Sequence, residues 1–296
     1  MKNIEVLIIQ AFSRNNKGGN PAGVVLNADV LDRNQKQSIA SKIGVSETAF
    51  ISGSEIADFK LDFFTPVKQI AHCGHATIAA FSFLKQEKII SGHISSKETI
   101  DGIRQIYFEG DMAFMEQEKP RFLPISSEDR LNTLAALGLV EEELLPGREP
   151  EIVNTGNSFL IIPVEEQSAL KKIVPDMQVI ESLSRKYNLI GFYCYAHTGE
   201  ACADVTARMF APYYGIPEEA ATGMAAGPLA CYLDKYQDIS STNVVISQGE
   251  FMTPPSPSKI LVRLEKDDTG IRRLFAGGSA YLASQFMVGL GENEQQ

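Results

Sequence analysis

The amino-acid sequence predicts an α+β fold of two pseudo-symmetric halves, each a barrel-like β-sheet wrapped around a central helix. The main observation is a motif that occurs twice, at residues 64–77 and 210–226. In both copies a strand-like segment ends at a proline, a loop follows, and a small-residue turn opens an apolar helix. Each half also has many strand-like segments and one such helix, which fits a sheet curling around a helix better than alternating βαβ units.

The repeat also predicts one site between the two halves. Gly74 and Gly223 open the two apolar helices. Backbone N–H groups at a helix N-terminus are free to bind an anion, and two such termini can hold the same anion. This arrangement suits an enzyme that removes a proton from a carbon next to a carboxylate or carbonyl.

Composition narrows the class of protein. A chain of 296 residues can bury a large core and is expected to form two domains. The net charge of −10 argues against nucleic acid or an anionic membrane surface as the main partner. No apolar run is long enough to cross a membrane, and the first residues do not resemble a signal peptide. Four scattered cysteines indicate a reduced, cytoplasmic protein without a disulfide framework.

The first half, residues 1–120, is expected to consist mainly of strands. Asp32 is a suitable N-cap for one helix, which Gly44 ends. A second helix, beginning near Gly74, is apolar nearly all round and is therefore expected to be buried. A turn is predicted at residues 18–23. The predicted strands are residues 3–12, 24–26, 48–52, 58–65, 97–108 and 111–118.

The second half, residues 121–296, is predicted to repeat this organisation. Residues 120–150, with charges and four prolines, are interpreted as the linker and the start of this half. Its buried helix is expected over residues 225–233, opened by Gly223. The last residues are expected to pack back on the first half. The predicted strands are residues 152–164, 190–196, 203–210, 244–247, 260–264 and 274–285.

Acidic residues at two places in the chain, one in each half, are considered for proton transfer. Glu47 begins an otherwise apolar strand, so it is either a solvent-facing residue on an edge strand or a general acid/base. Glu218 and Glu219 precede the second buried helix, where the helix dipole alone favours acidic residues. The sequence contains no dinucleotide fingerprint, P-loop or nucleophile-elbow motif.

The start of the first buried helix carries the other candidates. His75 is expected to be neutral there and to act as a hydrogen-bond donor or proton shuttle, unless it is only a cap or a satisfied buried residue. Cys73 is either a nucleophile or base, or a small buried residue without a role. His72, Cys73 and His75 suggest a metal site, but zinc needs three or four converging ligands, so no metal is expected.

Several stretches together resemble the phenazine-biosynthesis PhzF-like family, which shares the diaminopimelate-epimerase fold. They follow the family's order over most of the chain, which is more specific than any one of them. The matching stretches are residues 19–26 (GNPAGVVL), 46–50 (SETAF), 63–66 (FFTP), 73–77 (CGHAT), 208–212 (RMFAP), 215–216 (GI), 219–223 (EAATG) and 248–249 (QG).

The resemblance implies two barrel-like halves with a cleft between them, no metal, no organic cofactor and a homodimer. The family's acid/base glutamate falls on Glu47 and its histidine on His75. The glycine amides that hold the substrate carboxylate fall on Gly74 and Gly223. The residues that we expect to bind the substrate are Asn20, Cys73, Gly74, Gly223 and Met224.

The sequence departs from the family pattern at three places. Glu219 stands where the family usually has aspartate, and Met224 where it usually has serine. Residues 253–256 lack the arginine that is common there. The related epimerases use two opposed cysteines, whose positions fall on Cys73 and Thr222. A threonine hydroxyl is too weak a base without an activating partner, so a symmetric two-thiol racemase is not expected.

These observations predict a cofactor-independent isomerase of a small carboxylate substrate. Glu47 removes a proton from carbon and returns it elsewhere on the same molecule, while the two helix N-termini stabilise the developing charge. His75 and Glu219 are expected to orient polar groups of the substrate or to relay the proton. Two alternatives remain open: an amino-acid epimerase that uses Cys73 opposite Glu47, and a non-catalytic binding protein on the same fold.

Overall fold

The computed structural model describes residues 2–199, 203–237, 239 and 241–290, so Cys202 lies outside the described residues. Strands predominate, and the predicted α+β class is confirmed. The chain divides into two compact units, Met1–Met115 with Gly277–Gln296 and Glu116–Ala276. In the described part of the chain, no helix is long and apolar enough to cross a membrane.

The elements in chain order are as follows. Residues 2–117 form β1 Lys2–Ala11, β2 Asn20–Val25, α1 Arg33–Ile43, β3 Thr48–Ser52, β4 Phe59–Phe64, β5 Gln69–Ile70, α2 Gly74–Gln86, β6 Ile94–Thr99, β7 Gly102–Glu109 and β8 Met112–Gln117. The remaining elements are β9 Arg121–Pro124, α3 Ser127–Leu137, β10 Glu151–Asn154, β11 Ser158–Pro163, α4 Gln167–Lys172, α5 Met177–Tyr187, β12 Gly191–His197, β13 Val205–Ala211, β14 Ile216–Glu219, α6 Gly223–Lys235, β15 Asn243–Gln248, β16 Ser258–Asp267, β17 Gly270–Gly278 and β18 Ala280–Leu290. Short 3-10 helices lie at Ala28–Val30, Glu141–Glu143 and Pro212–Tyr214.

The first unit is a single sheet with the order β18–β1–β2–β3–β4–β6–β7–β8. Neighbouring strands are antiparallel except at two positions. β2 and β3 are parallel and are connected through α1, while β4 and β6 are parallel and are connected through α2. A parallel pair requires such a crossover, and here the crossover supplies the helix that the sheet surrounds.

The second unit repeats this topology. Its sheet runs β9–β10–β11–β12–β13–β15–β16 and is otherwise antiparallel. β11 and β12 are parallel across α4 and α5, and β13 and β15 are parallel across α6. The strand–crossover–strand order of the two units is therefore the same, which explains why the motif occurs twice in the sequence.

The two central helices are buried as predicted. Every residue of α2 from Gly74 to Leu84 is buried, and α2 contacts β1, β2, β3 and β18. Every residue of α6 from Ala225 to Leu233 is buried, and α6 contacts β10, β11 and β16. Apolar side chains around the whole circumference favour this position, because both faces of each helix leave water.

Three predicted strands are wrong because each is two strands rather than one. Residues 97–108 divide before Gly102 (φ +99°), and residues 152–164 divide at Gly156 (φ +106°). Residues 274–285 divide at 279 between β17 and β18. Glycine adopts a positive φ at little cost, so Gly102 and Gly156 permit chain reversals that apolar periodicity alone does not reveal.

Other local predictions need correction. The predicted turn at 18–23 ends earlier, because β2 already begins at Asn20. Residues 120–150 are not mainly a linker, since they contain β9 and α3. α3 is capped by Ser126, whose hydroxyl accepts from the backbone N–H of Asp129, and α5 is capped by Asp176. Both helices carry the cap residues by which they can be found from sequence.

Candidate active site

Glu47 lies just before β3, and its backbone is tied to β2. The backbone N–H of Gly23 donates to the carbonyl oxygen of Glu47 at 3.0 Å. A Cβ atom on Gly23 would lie 2.7 Å from Oγ1 of Thr48, so glycine is required there. β3 is paired on both sides, and the Glu47 side chain is only 14% exposed. The alternative of a solvent-facing residue on an edge strand is therefore wrong.

A carboxylate, an imidazole and a thiol meet at the start of α2. Oε2 of Glu47 lies 3.4 Å from Nε2 of His75. Nδ1 of the same ring lies 3.5 Å from Sγ of Cys73, which is the N-cap residue of α2. His75 and Cys73 are both buried. The two ring nitrogens thus connect the carboxylate with the thiol, an arrangement that can hold or transfer a proton.

The Glu47 carboxylate has an oxygen that the fold does not use. Oε2 is shielded from solvent, and among the described residues no donor approaches it with hydrogen-bond geometry. Its contact with His75 is at ion-pair distance rather than a well-aligned hydrogen bond. Buried polar atoms are normally hydrogen-bonded, so this oxygen is available for a group that enters the site.

The same three side chains also carry metal-ligand atoms. One ligand atom from each of Glu47, Cys73 and His75 lies within 4.8 Å of the others. However, Glu47 and Cys73 approach different nitrogens of the imidazole ring. A zinc ion bonds to one nitrogen and needs its ligands about 2.0–2.3 Å from a single point. The observed arrangement therefore fits a proton relay better than a metal site, and the expectation of no metal remains a prediction.

In the second unit, Glu219 is fixed by the residue that caps α6. Oγ1 of Thr222 lies 2.5 Å from Oε2 of Glu219 and donates to it. Glu218, by contrast, forms a partly buried ion pair with Arg208 at 2.8 Å. The two adjacent glutamates therefore have different roles, and only Glu219 is directed to the start of α6.

Gln248 organises this region through four hydrogen bonds. Its Oε1 accepts from the Thr222 backbone N–H at 3.1 Å and from the Tyr193 hydroxyl at 2.9 Å. Its Nε2 donates to the Glu219 carbonyl oxygen at 2.7 Å and to Thr222 Oγ1 at 3.1 Å. A backbone N–H can only donate and a carbonyl can only accept, so the orientation of the amide is unambiguous. Because Thr222 Oγ1 accepts from Gln248, its own hydrogen goes to Glu219.

The first residues of α6 are held by a second set of contacts. Nε2 of Gln117 donates to the Gly223 carbonyl oxygen at 2.9 Å, and Thr155 donates to Oε1 of Gln117 at 2.7 Å. Sδ of Met224 accepts from Nδ2 of Asn157 at 3.5 Å. The Met224 side chain thus offers only a weak sulfur acceptor at this position.

The predicted site residues are distributed over both units. Those in the first unit are Asn20, which is buried at the start of β2, and Glu47, Cys73, Gly74 and His75. Those in the second unit are Glu219, Gly223 and Met224. Tyr193, which donates to Gln248, and Lys97, which contacts Thr77 in α2, were not predicted. Strand alternation offers a signal for Lys97, because it shares the buried face of β6 with Ser95 and Thr99.

Comparison with known proteins identifies the family. Residues 9–285 match the model of the phenazine biosynthesis-like protein family, which is nearly the whole chain. The chain belongs to this family. An uncharacterized isomerase of Clostridium acetobutylicum is 35% identical over 88% of this chain and 90% of its own length. The trans-2,3-dihydro-3-hydroxyanthranilate isomerase of Pseudomonas chlororaphis is 30% identical over 84% of this chain and 87% of its own length.

Solved structures agree with this family and with its fold. A PhzF-family protein of Bacillus anthracis has a TM-score of 0.88 at 26% identity and covers 98% of this chain and 100% of its own. A hydroxyproline epimerase of Agrobacterium vitis has a TM-score of 0.57 at 9% identity and covers 97% of this chain and 93% of its own. At this low identity the likeness shows only a shared fold. The chain therefore has the predicted epimerase-like fold. Because it belongs to this family and its relatives are named isomerases, it is an isomerase.

Proposed function

We propose that the protein is a cofactor-independent isomerase that moves a proton within a small carboxylate substrate. The observation that carries the proposal is the buried Glu47 carboxylate, 3.4 Å from His75, with an oxygen that the fold leaves uncommitted. A general base must reach the proton that it abstracts, and a carboxylate already hydrogen-bonded to structural groups is poorly suited to that task.

The proposed reaction is balanced without any other reactant. The Glu47 carboxylate takes a proton from a carbon whose carbanion is conjugated with the substrate carboxylate. The C–H electron pair forms a new double bond, and the former double bond shifts its electrons toward the carboxylate. The protonated Glu47 then returns the proton to another carbon of the same molecule. His75 keeps the Glu47 carboxyl group oriented during both transfers, and no electrons are gained or lost.

The first turn of α2 is proposed to bind the negative charge. Gly74 and His75 are the first two helical residues, and N–H groups at these positions have no acceptor within the helix. They are aligned with the positive end of the helix dipole, which favours a carboxylate or an enolate oxygen. Gly223 and Met224 offer the same kind of donors at the start of α6, and Glu219 is proposed to orient a polar group of the substrate.

The geometry disfavours the epimerase alternative with Cys73 opposite Glu47. Two bases on opposite faces of one carbon must each lie about 3 Å from it, and hence about 6 Å from each other. The ligand atoms of Glu47 and Cys73 are within 4.8 Å, with His75 contacting both.

The substrate of the Pseudomonas relative offers the first test compound. Purified protein is supplied with trans-2,3-dihydro-3-hydroxyanthranilate and a panel of small unsaturated carboxylates in D₂O, and NMR follows double-bond position and deuterium content. The proposal predicts isomerisation of at least one compound in the presence of a chelator and without added cofactor. If no compound in the panel shows isomerisation or deuterium exchange, the result favours the non-catalytic alternative.

The remaining expectations belong to the same proposal. We infer that the protein works in the cytoplasm as a homodimer, with a small carboxylate rather than nucleic acid or a membrane as its partner. The net charge of −10 supports the last part of this inference, because it opposes binding to nucleic acid and to anionic membrane surfaces. Light scattering during gel filtration measures the oligomeric state.

A further inference from the structure

Lys97 is a fully buried lysine that contacts the first turns of α2. Its side chain is 0% exposed. Its Nζ lies 2.5 Å from Oγ1 of Thr77, 3.1 Å from Nδ1 of His72, and 5.1 Å from the centre of the Phe63 ring. Lysine is almost never fully buried unless it is paired, and none of these partners in the described part of the chain is a carboxylate. Burying this amine is costly and calls for a function.

Hydrogen bonds connect Lys97 through Thr77 to the N-terminus of α2. A charged lysine can only donate, so the Thr77 hydroxyl accepts from it. That hydroxyl therefore donates its hydrogen to the carbonyl oxygen of Cys73, at 2.6 Å. The same carbonyl also accepts from the backbone N–H of Thr77 at 3.3 Å. Because Cys73 is the N-cap residue, this chain of contacts fixes the peptide group that leads into Gly74 and His75.

Several titratable groups surround Lys97. Burial lowers the pKa of His72 to about 2, with Lys97 and Arg104 adding to the shift, so its ring is neutral and accepts from the ammonium group. Burial also lowers the pKa of Lys97 to about 7. Cys73 opposes that shift, Arg104 adds to it, and Asp101 opposes it. Arg104 is the cross-strand neighbour of Lys97 on β7.

We propose that Lys97 is a positioning residue for the anion-binding turn at Gly74 and His75. This inference rests on the proposed function, which assigns that turn to the substrate carboxylate. The ammonium group holds Thr77 and the Cys73 carbonyl in place. It also adds a positive charge to the buried side of the turn, where low dielectric strengthens its attraction for an anion. The substrate carboxylate is therefore bound most tightly while Lys97 is protonated.

The proposal predicts a pH dependence of substrate binding. As pH rises through about 7, Lys97 loses its charge and the KM of a carboxylate substrate increases. In Lys97→Met this dependence is absent, and at pH 6 the KM is about tenfold higher than that of wild type, as expected for loss of a charged hydrogen-bonded group. The kcat changes much less, because Glu47 and His75 are retained. Lys68→Met, which alters an exposed lysine, serves as the control and keeps the wild-type profile.

The Thr77 hydroxyl provides a second pair of variants. Thr77→Val keeps the shape but breaks the link between Lys97 and Cys73, so its KM at pH 6 is expected to rise. Thr77→Ser keeps the hydroxyl and is expected to restore wild-type KM. This pair leaves the lysine in place and therefore also tests the proposal if Lys97→Met does not fold.

Folding supplies a readout that does not depend on any substrate. The pKa of an unfolded lysine is 10.5 and that of Lys97 in the fold is about 7, so between these values the unfolded chain binds more protons. The free energy of unfolding of wild type must therefore rise with pH over this range relative to Lys97→Met. Chemical denaturation of both proteins at pH 6, 8 and 10 measures this difference.

The outcomes separate this proposal from the proposed function. A flat KM profile in Lys97→Met and a higher KM in Thr77→Val but not in Thr77→Ser support it. An identical pH dependence of KM in wild type and Lys97→Met overturns it, as does a Thr77→Val variant indistinguishable from Thr77→Ser. Full turnover by Glu47→Gln would instead overturn the proposed function, and the pH dependence of unfolding would still show whether burial lowers the pKa of Lys97.

Discussion

Nε2 of His75, in the first turn of α2, lies 3.4 Å from Oε2 of Glu47, which precedes a different element, β3. The other ring nitrogen of His75 lies 3.5 Å from Sγ of Cys73. One imidazole thus contacts both of the groups that could act as a base in the first unit. The relationship favours a reaction in which Glu47 moves the proton and Cys73 supports the histidine.

Replacement of Cys73 by serine is expected to change kcat by less than about tenfold, because it alters one neutral contact to Nδ1 of His75, worth about 0.5–1.5 kcal/mol. Cys73→Ala is expected to have little effect on stability. Steady-state kinetics and thermal unfolding of both variants measure these effects. Complete inactivation of Cys73→Ser with the fold intact would instead support an epimerase that uses the thiol.

Met224→Ser is expected to shift affinity toward more polar carboxylates. The new hydroxyl can donate to a charged substrate group, which is worth about 1.5–3 kcal/mol. A calorimetric binding screen of related carboxylates compares wild type with this variant. Met224→Leu is the matched control, because it removes the sulfur contact with Asn157 without adding a donor. Activity that appears only in Met224→Ser would mean that the wild-type site is disabled.

Gln248→Leu is expected to lower both stability and kcat/KM. The change leaves the Thr222 backbone N–H and the Tyr193 hydroxyl without their acceptor, at a cost of about 1–3 kcal/mol for each buried group. Tyr193→Phe is the milder control, since it removes one donor and leaves the Thr222 contact intact. Urea denaturation and kinetics are compared for the two variants. Wild-type stability of Gln248→Leu would contradict the role assigned to this amide.

Gly23→Ala is expected to lower the free energy of unfolding by about 1–3 kcal/mol, as overpacking usually does. Its Cβ would lie 2.7 Å from Oγ1 of Thr48, next to the backbone of Glu47, so activity should fall as well. Thr48→Ala in the same chain should recover much of the loss, which a double-mutant cycle measures. Gly53→Ala is the control, because its Cβ would meet only Asp29, at 3.5 Å. Equal stability of the two alanine variants would show that β2 is not closely packed there.

The sequence predicts the overall organisation because the signal for it is local and repeated. The proline–loop–glycine motif gives the position of α2 and α6, and the all-round apolar pattern gives their burial. The strand count is less accurate, because apolar periodicity continues through tight reversals such as that before Gly102. α3 and α5 begin at ordinary cap residues, Ser126 and Asp176. They were not predicted because the mixed composition of their segments obscures the helical pattern.

The candidate site is predicted only in part, for a physical reason. Glu47 and His75 stand out in the sequence because a polar residue at the start of an apolar strand or helix is unusual. The burial of Lys97 depends on which face of β6 meets α2, and that face is set by pairing with β4 and β7. The orientation of Gln248 likewise depends on partners far apart in sequence. Strand alternation shows which residues share a face with Lys97, but the contacts of both side chains follow from the tertiary fold.

The central claim is that Glu47 transfers the proton, and Glu47→Gln tests it most directly. The amide keeps the shape of the side chain but cannot cycle a proton. With any carboxylate that wild type isomerises, the account predicts that kcat falls by about 10²–10⁴, as for other general acid/base groups. The exposed Glu55→Gln variant is the control and should keep wild-type turnover. Turnover by folded Glu47→Gln at the wild-type rate would contradict the account.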